Sequence, residues 1–321
     1  MTGATGFVGG ELARQLRARG DDVVALVRDP ARATNLRGAG VELVVGDLDD
    51  LVSLARLVDG VDGFFHVAGW YKHGRREHET LRRVNVTGTR NALEAAGRAG
   101  VRTVYTSTTA INSDTGGLVR DESYVHRGPW ATEYDRTKAE AHRVAEEYAV
   151  AGLPLVTVMP SVVYGPGDTG STLGQLTRQL IAGRPVLGPR GGASSWVHVE
   201  DAARGHVLAM ERGRSGEAYI LAGERASYGE VLELVAQVAG KRGPVLLPHG
   251  VVRAAAAVTA PVERFLPIPQ PLTAEAARAG MATYFGDGSK AAAELGWISR
   301  PLREGITETV RHEMAAVSPS S

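Results

Sequence analysis

The sequence predicts an α/β fold built around a doubly wound parallel sheet. A glycine-rich turn stands at the start of the chain, and after it short apolar runs alternate with longer amphipathic stretches. Several of the apolar runs end in small or hydroxyl residues, as strands of such a sheet do where they face a ligand. We therefore expect helices on both faces of the sheet and a binding site at the carboxyl ends of its strands.

Composition narrows the range of functions. The 321 residues include 36 Lys and Arg, 36 Asp and Glu, and no cysteine. The interspersed charges give no reason to expect nucleic acid or a membrane as partner, and the lack of cysteine excludes disulfides and thiolate chemistry. We predict no metal site, since His73 and His78 lie in a loop without a cluster of other ligands. The most apolar stretch, 251–262, contains Arg253 and Pro261 and is too short to span a bilayer, and the cytoplasm is the expected compartment.

The first ten residues, MTGATGFVGG, place Gly3, Gly6 and Gly9 where a strand should pass into a helix. Without a Cβ atom, glycine lets the backbone turn tightly and lets a pyrophosphate contact the N–H groups at the start of the helix. The spacing differs from the standard G-x-G-x-x-G, so the turn alone is a weak signal. It nevertheless predicts a dinucleotide site.

Such a turn should follow a buried strand, yet only Met1 and Thr2 precede it. We expect that the first, central strand is missing from this sequence and that Met1 takes the place of its last apolar residue. The alternative is that another segment pairs with the run 23–27 in the position of that strand. A continuous sheet beside this run would support the alternative.

The next apolar run, 22–28, ends at Arg28, the position that reaches the adenosine ribose in dinucleotide-binding sheets. An arginine there binds a 2′-phosphate, whereas an acid binds the 2′-hydroxyl, so Arg28 favours NADP(H) over NAD(H). The alternative is a solvated arginine at the end of a strand. After the following run, 41–45, Asp47 either contacts the adenine or caps the next helix.

The run 63–68 ends in Ala68 and Gly69, which are small enough for a cofactor to approach. The polar and aromatic segment that follows, 70–78, is a candidate substrate loop, and the alternative is an ordinary exposed loop. A later apolar run ends in four hydroxyl residues at 106–109. Hydroxyl groups at the carboxyl end of a strand in this architecture face the ligand crevice.

Tyr134 and Lys138 form the strongest candidate pair. They stand four residues apart at the start of a predicted helix that ends near residue 151, and therefore share one helix face. An ammonium group near a phenol favours the phenolate and is expected to lower the tyrosine pKa below about 10. A phenol tuned in this way can exchange a proton with a carbonyl group that receives hydride. The alternative is a surface pair without chemistry.

Ten motifs distributed along the chain carry a family resemblance. They are TGATGFVGG (2–10), LVRDP (26–30), GDL (46–48), FHVAG (65–69), NVTGT (85–89), YTSTTA (105–110), YDRTK (134–138), MPSVVYGPGD (159–168), WVHVEDAARGHVLAME (196–211) and KAAAELGW (290–297). With this combination the chain resembles, over nearly its whole length, the extended short-chain dehydrogenase/reductase superfamily, that is, the NAD-dependent epimerase/dehydratase superfamily. The resemblance is greatest to its dihydroflavonol-reductase-like and hopanoid-associated-epimerase-like branch.

The resemblance implies roles for individual residues. Tyr134 would be the general acid/base, and Lys138 would hold the nicotinamide ribose and tune the tyrosine. Thr108 would polarise the substrate carbonyl, where relatives usually have serine, with Ser107 as the alternative. Asn85 would help to position the central strands. The expected cofactor contacts are Gly3, Thr5, Gly6, Phe7, Val8, Gly9, Arg28, Asp47, Leu48, Val67, Ala68, Gly69, Asn85, Thr106, Lys138, Pro160, Ser161 and Val162.

A smaller α/β substrate domain is expected in the second half of the chain. We predict a dinucleotide-binding domain over 1–168, to which 194–215 returns, and a substrate domain over 169–321. The segment 245–269 is rich in Val, Ala, Leu and Pro. If it lines the pocket, the small-molecule substrate is partly apolar, and the alternative is that this segment only packs the small domain.

These inferences predict an NADP(H)-dependent oxidoreductase that interconverts a ketone and a secondary alcohol. A nucleotide-sugar epimerase or dehydratase that retains NAD(H) is the alternative within the superfamily, against which stand Arg28 and the lack of an Asp-Glu pair after Thr108. A non-catalytic NADP-binding regulator is the alternative from another class, and the retained Tyr134 argues against it. The resemblance also implies a homodimer formed by the helices near 80–99 and 134–151.

Overall fold

The computed structural model describes residues 1–317 except 264, 267, 270 and 271. Within these residues the predicted alternation of strands and helices is present. The first half contains, in chain order, α1 (Phe7–Ala18), β1 (Val24–Val27), α2 (Thr34–Gly38), β2 (Glu42–Val45), α3 (Leu51–Val58), β3 (Gly63–His66), α4 (His78–Leu81), α5 (Gly88–Ala99), β4 (Arg102–Thr106), α6 (Glu133–Val150) and β5 (Leu155–Pro160).

The second half has shorter strands and more helices. Its elements are β6 (Val162–Tyr164), α7 (Thr172–Ile181), β7 (Leu187–Pro189), β8 (Ala193–His198), α8 (Val199–Arg212), β9 (Ala218–Leu221), β10 (Arg225–Ser227), α9 (Tyr228–Ala239), β11 (Val245–Leu247), α10 (His249–Val262), α11 (Ala274–Met281), β12 (Thr283–Tyr284), α12 (Ser289–Leu295) and α13 (Leu302–Val317). The segment 245–269, whose apolar composition suggested a pocket lining or packing of the small domain, is divided between β11, α10 and a connection that lies partly outside the described residues.

The main sheet is parallel throughout. Strands β3, β4, β5 and β9 pair in this order, and β1 pairs with β2. The first two residues join the two groups, because Leu26 N–H donates to the Met1 carbonyl (2.9 Å) and Thr2 N–H donates to the Phe65 carbonyl (3.0 Å). Met1 thus lies between β1 and β3, the place expected of it from the sequence. The order across the sheet is that of a Rossmann-type fold, which confirms the predicted fold class.

Helices cover both faces of this sheet. On one face α1, α8 and α12 bury a core that includes Leu12 and Leu295. On the other face α3, α5 and α6 bury a core that includes Leu93 and Val144. Every residue of β5 is buried, as expected of a strand that is covered on both sides.

The second half adds a smaller sheet and a separate ribbon. Strand β8 pairs antiparallel with β10 and parallel with β12 and β6, and α7, α9 and α13 pack around Trp196 and Leu232. Strands β7 and β11 form a two-stranded parallel ribbon in which Val245 pairs with Leu187. Among the described helices, none combines the length and the apolar character that a membrane span requires.

Candidate active site

The glycine turn lies against the carboxyl end of β3. Gly3 has a φ of +75°, and a Cβ atom on it would lie 2.6 Å from the backbone nitrogen of Ala68. A Cβ atom on Gly9 would lie 2.2 Å from the Gly3 carbonyl oxygen, so both positions exclude a side chain. Gly6 is the N-cap residue of α1, where no side chain caps the helix. The first N–H groups of α1 therefore remain open to an anion, and the turn fits a dinucleotide pyrophosphate.

The residues around this turn differ in exposure. Behind the turn Asn85 is buried, and its Oδ1 accepts the Trp70 N–H (2.7 Å) while its Nδ2 donates to the Trp70 carbonyl (3.1 Å) and the Thr137 hydroxyl (3.2 Å). Asn85 therefore links the segment after β3 to α6. Of the other predicted contacts, Leu48 is buried, and the exposed or half-buried ones are Thr5, Phe7, Val8, Val67, Ala68 and Gly69.

Arg28 and Asp47 follow the two strands that should meet the adenosine of a dinucleotide. Arg28 directly follows β1 and is exposed, and within the described part of the chain no ion pair includes it. Its guanidinium is thus available to a phosphate. Asp47 is half-buried after β2. The capping alternative for Asp47 was wrong, because Asp50 caps α3 by accepting the N–H groups of Val52 (3.0 Å) and Ser53 (3.2 Å).

Tyr134 and Lys138 lie in the first two turns of α6, as predicted. Lys138 is buried, and its Nζ donates to the Thr106 carbonyl oxygen (2.8 Å) and to Tyr105 Oη (3.1 Å). These bonds fasten α6 to the carboxyl end of β4. Burial lowers the pKa of Lys138 to about 7.

The predicted lowering of the Tyr134 pKa was wrong for the structure described. Burial raises the pKa of Tyr134 well above its ordinary value, the neighbouring Tyr71 adds to the rise, and a hydrogen bond with the Thr108 side chain opposes it. The Lys138 ammonium does not counter this rise, because it is directed to Thr106 and Tyr105 instead. Tyr134 is therefore a neutral phenol at neutral pH, which suits a group that donates a proton.

Thr108 is the hydroxyl residue beside Tyr134. Its side chain opposes the rise in the Tyr134 pKa, and its Oγ1 accepts the Ala110 N–H (3.2 Å). Ser107, the alternative, is buried, and its Oγ lies 2.8 Å from His142 Nδ1. The side chain of Ser107 is thus engaged away from the tyrosine.

The residues predicted to contact the nicotinamide lie at the ends of the central strands. Thr106 is the last residue of β4, Pro160 is the last of β5, and Val162 begins β6. Ser161, between them, donates its N–H (3.1 Å) and its hydroxyl (3.3 Å) to the Leu221 carbonyl. These bonds fix the turn after β5 against β9, at the same edge of the sheet as Lys138.

Two residues beside the phenol were not predicted as site residues. The ring of Tyr71 stands edge-on to that of Tyr134, with 4.8 Å between ring centroids. The carboxyl group of Asp135 is buried, accepts the hydroxyls of Thr132 (2.7 Å) and Tyr284 (3.2 Å), and has its pKa raised to about 7 by burial. Asp135 lies within the YDRTK motif, but its partner Tyr284 is 149 positions away and gives no local signal.

The candidate substrate loop 70–78, which contains Tyr71, is fastened by Glu275 at the start of α11. The buried carboxylate of Glu275 accepts the Gly74 N–H (2.7 Å) and the Glu133 N–H (3.4 Å), and lies 3.0 Å from His78 Nε2. One side chain thus joins α11, the loop and the first turn of α6. This arrangement places the loop beside Tyr134.

A group of three potential metal ligands lies elsewhere, at the start of α8. Ligand atoms of His198, Glu200 and Glu308 lie within 4.8 Å of one another. Arg300 already donates to both carboxylates, at 2.7 Å from each. Because this guanidinium supplies the positive charge that a cation would bring, we assign the group as an ion-pair network.

A parallel sheet with a glycine turn that admits a dinucleotide, and with a Tyr–Lys pair on one helix at its carboxyl edge, is the architecture of an NAD(P)-dependent short-chain dehydrogenase/reductase of the extended type. Comparison with known proteins agrees with this class. The profile of the NAD dependent epimerase/dehydratase family matches residues 1–222. The chain belongs to this family.

Three similar proteins extend the comparison. A putative dihydroflavonol 4-reductase from a Synechocystis species is 34% identical over 325 residues, covering 97% of this chain and 92% of the relative. The crystal structure of gox2253 has a TM-score of 0.82 at 34% identity and covers 98% of this chain and 97% of its own. The structure of MoeE5 in complex with UDP-glucose and NAD has a TM-score of 0.79 at 26% identity. The match covers 99% of this chain and 98% of the MoeE5 chain. The chain is therefore an oxidoreductase-type enzyme that uses a nicotinamide cofactor.

Proposed function

We propose that the protein is an NADP(H)-dependent oxidoreductase that interconverts a ketone and a secondary alcohol. The observation that carries this proposal is the half-buried phenol of Tyr134, whose pKa is held above its ordinary value so that it stays neutral, beside Thr108 and one helical turn from the buried Lys138. A proton donor placed beside a hydroxyl group can hold and protonate one carbonyl oxygen. The reductase name of the Synechocystis relative supports the same reaction class.

The residues of the chain divide the chemistry between them. When bound, the nicotinamide cofactor supplies or removes the hydride at the carbonyl carbon. In the direction of reduction, Tyr134 donates its Oη proton to the carbonyl oxygen, and in the reverse direction it accepts the proton of the alcohol. The Thr108 hydroxyl donates a hydrogen bond to the same oxygen and stabilises its developing charge. Lys138 holds α6 in register with β4 through its hydrogen bond to the Thr106 carbonyl oxygen.

The preference for NADP(H) rests on Arg28. Its exposed guanidinium, at the end of β1, suits a 2′-phosphate, with NAD(H) as the alternative cofactor. We further propose that residues 1–168 with 194–215 bind the dinucleotide, that 169–321 hold a partly apolar substrate, and that α5 and α6 form a homodimer interface.

An NAD-dependent nucleotide-sugar epimerase or dehydratase is the second candidate. The similarity to MoeE5, whose structure contains UDP-glucose and NAD, favours it. The two candidates differ in cofactor behaviour, because a reductase exchanges NADPH and NADP⁺ in each turnover, whereas an epimerase of this kind retains NAD.

Replacement of Tyr134 tests the proposed chemistry. Tyr134→Phe should lower ketone reduction about a thousandfold, because proton donation by a positioned side chain contributes roughly 10²–10⁴-fold. NADPH oxidation with a panel of aliphatic and aromatic ketones measures the rate, and nicotinamide fluorescence measures cofactor affinity, which should stay within a factor of about two because the change removes only one oxygen. Tyr148→Phe, the same change near the other end of α6, is the matched control. Full turnover by Tyr134→Phe would overturn the assignment.

Replacement of Arg28 tests the cofactor preference. Arg28→Asp should shift the ratio of NADPH to NADH affinity roughly 10- to 100-fold towards NADH, since it removes a charge-assisted bond and repels a phosphate. Titration of both cofactors by nicotinamide fluorescence measures the ratio. Arg56→Asp, at another exposed arginine on α3, should leave it unchanged. An unchanged ratio for Arg28→Asp, or tighter binding of NADH by the unaltered chain, would favour the NAD-dependent candidate.

A further inference from the structure

Helix α10 is largely apolar, with Arg253 as its one Lys or Arg residue, yet none of its residues is fully buried. Its outward face follows helical spacing through Val251, Ala255, Val258 and Pro261, all of them exposed, with Val258 at 67%. On a soluble protein the apolar stripe of a helix normally faces the core and its outward face is polar. The outward face of α10 therefore lacks the contact that its composition suits.

Further exposed apolar side chains continue this surface. Phe265, 80% exposed, and Leu266 follow α10, and Leu272 precedes α11. Before α10, the paired residues Leu187 and Val245 are both exposed on the β7–β11 ribbon. Several exposed large apolar side chains on neighbouring segments favour an interaction site on this part of the protein.

The same segments carry positive charge and no negative charge. Residues 182–192 and 240–262 contain no acid, and their exposed cations are Arg184, Arg190, Lys241, Arg242 and Arg253. Throughout the part of the chain that the structure describes, none of these five joins an ion pair. The parallel pairing of β7 with β11 brings the two segments together, because Arg184 and Arg242 each stand three residues before a paired strand residue. The interspersed charges of the sequence gave no indication of this cluster.

We propose that α10, the β7–β11 ribbon and the exposed residues Phe265, Leu266 and Leu272 form a docking face for the surface of an anionic lipid bilayer. The apolar side chains enter the boundary between headgroups and acyl chains, and the five cations bind lipid phosphates. Interfacial helices combine an apolar face with Lys and Arg in this way. A second copy of the chain would bring the same five cations against each other across this face, and like charges placed together in this way disfavour such a contact.

Helix α10 of the docking face is linked to the candidate active site through α11. Glu263, at the end of α10, accepts the Ala274 N–H of α11 at 2.6 Å. The next residue of α11, Glu275, holds the loop whose Tyr71 contacts Tyr134. An attached bilayer would thus lie next to the loop beside the phenol, so that an apolar substrate reaches the site from the lipid phase.

Co-sedimentation with lipid vesicles tests the docking face. The full chain should sediment with vesicles of phosphatidylcholine mixed with phosphatidylglycerol, less with phosphatidylcholine alone, and less with the mixture at high salt, which screens the cations. The double variant Lys241→Gln/Arg242→Gln should lower the partition coefficient roughly 30-fold, from the loss of two cations near an anionic surface. Val258→Asp should lower it roughly tenfold or more, from the loss of one inserted apolar side chain.

Val52→Asp is the matched control, because Val52 on α3 has the same 67% exposure as Val258. This variant should bind vesicles as the unaltered chain does. No sedimentation of the unaltered chain with mixed vesicles, or an equal loss from Val52→Asp, would overturn the proposal. If Val258→Asp instead changes the oligomeric state of the lipid-free protein in analytical ultracentrifugation, a second copy of the chain occupies the face and the lipid assignment fails. None of these measurements depends on ketone reduction.

Discussion

Helices α6 and α10 show opposite relations between polarity and burial. Helix α6 is rich in charged residues, yet it buries Asp135, Thr137 and Lys138. Helix α10 is largely apolar, yet none of its residues is fully buried. Each helix departs from the usual pattern, in which polar side chains are exposed and apolar side chains are buried. Such departures lower the stability of the fold and are expected where a function requires them. In α6 the buried polar groups lie near the phenol that carries the proposed chemistry. In α10 the exposed apolar groups belong to the proposed docking face for a lipid bilayer.

Asp135 gives the largest expected effect on stability within this comparison. Its folded pKa of about 7 lies above the unfolded value of about 3.9, so the native state retains a proton that the unfolded state has released between these pH values. The stability of the unaltered protein therefore falls as the pH rises from 4 to 7 and stays low above 7. Asp135→Asn removes this loss and should be more stable than the unaltered chain at pH 8, by up to about 4 kcal/mol.

Urea unfolding at pH 4 and pH 8 measures this difference. The gain from Asp135→Asn should be much smaller at pH 4, where the carboxyl group is protonated in the native state. Asp62→Asn, at an exposed position just before β3, should give little change at either pH. A gain from Asp135→Asn that is equal at both pH values would show that burial of the charge does not limit stability.

A pair of valines gives the next largest effect. Val144 on α6 is 2% exposed and packs in the core between α6 and the sheet, so Val144→Ala should lower the free energy of unfolding by about 2 kcal/mol. Val258→Ala on α10 should change it by less than about 0.5 kcal/mol, since no buried contact is lost and alanine favours a helix. Urea unfolding of both variants checks this, and a comparable loss at Val258 would mean that the outer face of α10 is packed.

The helix N-termini give the smallest effect. Thr132 caps α6 by accepting the Asp135 N–H (3.1 Å), whereas α10 follows Pro248 without a side-chain cap. Thr132→Ala should therefore lower the free energy of unfolding by about 1 kcal/mol, and Thr132→Ser should restore most of it because serine also caps. Equal losses from the two substitutions would indicate that packing of the threonine methyl group matters more than the cap.

Much of the fold could be predicted because its signals are local. The glycine turn and the apolar runs depend on neighbouring residues, and β1, β2 and β3 lie within the predicted runs 22–28, 41–45 and 63–68. The Tyr134–Lys138 pair was also visible, because a spacing of four residues fixes two side chains on one helix face. These predictions needed no knowledge of distant contacts.

The properties that escaped prediction depend on residues far apart in the chain. The pKa of Tyr134 is raised by burial under the whole site, including Tyr71, whereas the sequence showed only the nearby lysine. Asp135 gains Tyr284 as a partner only after β12 packs beside α6. The exposure of α10 was hidden for the same reason, because an apolar helix has the same sequence whether or not another element covers it.

The carboxylate of Glu275 has a kinetic consequence. It holds Gly74 of the loop, His78 of α4 and the first N–H of α6 at once, so the loop cannot lift away while α11 stays bonded through this group. Lifting the loop must break these bonds together. Lifting of the loop would therefore be a single cooperative event. If substrate entry and product departure both require the loop to lift, the rate of this one motion limits both steps, as in enzymes whose turnover is set by the motion of a loop.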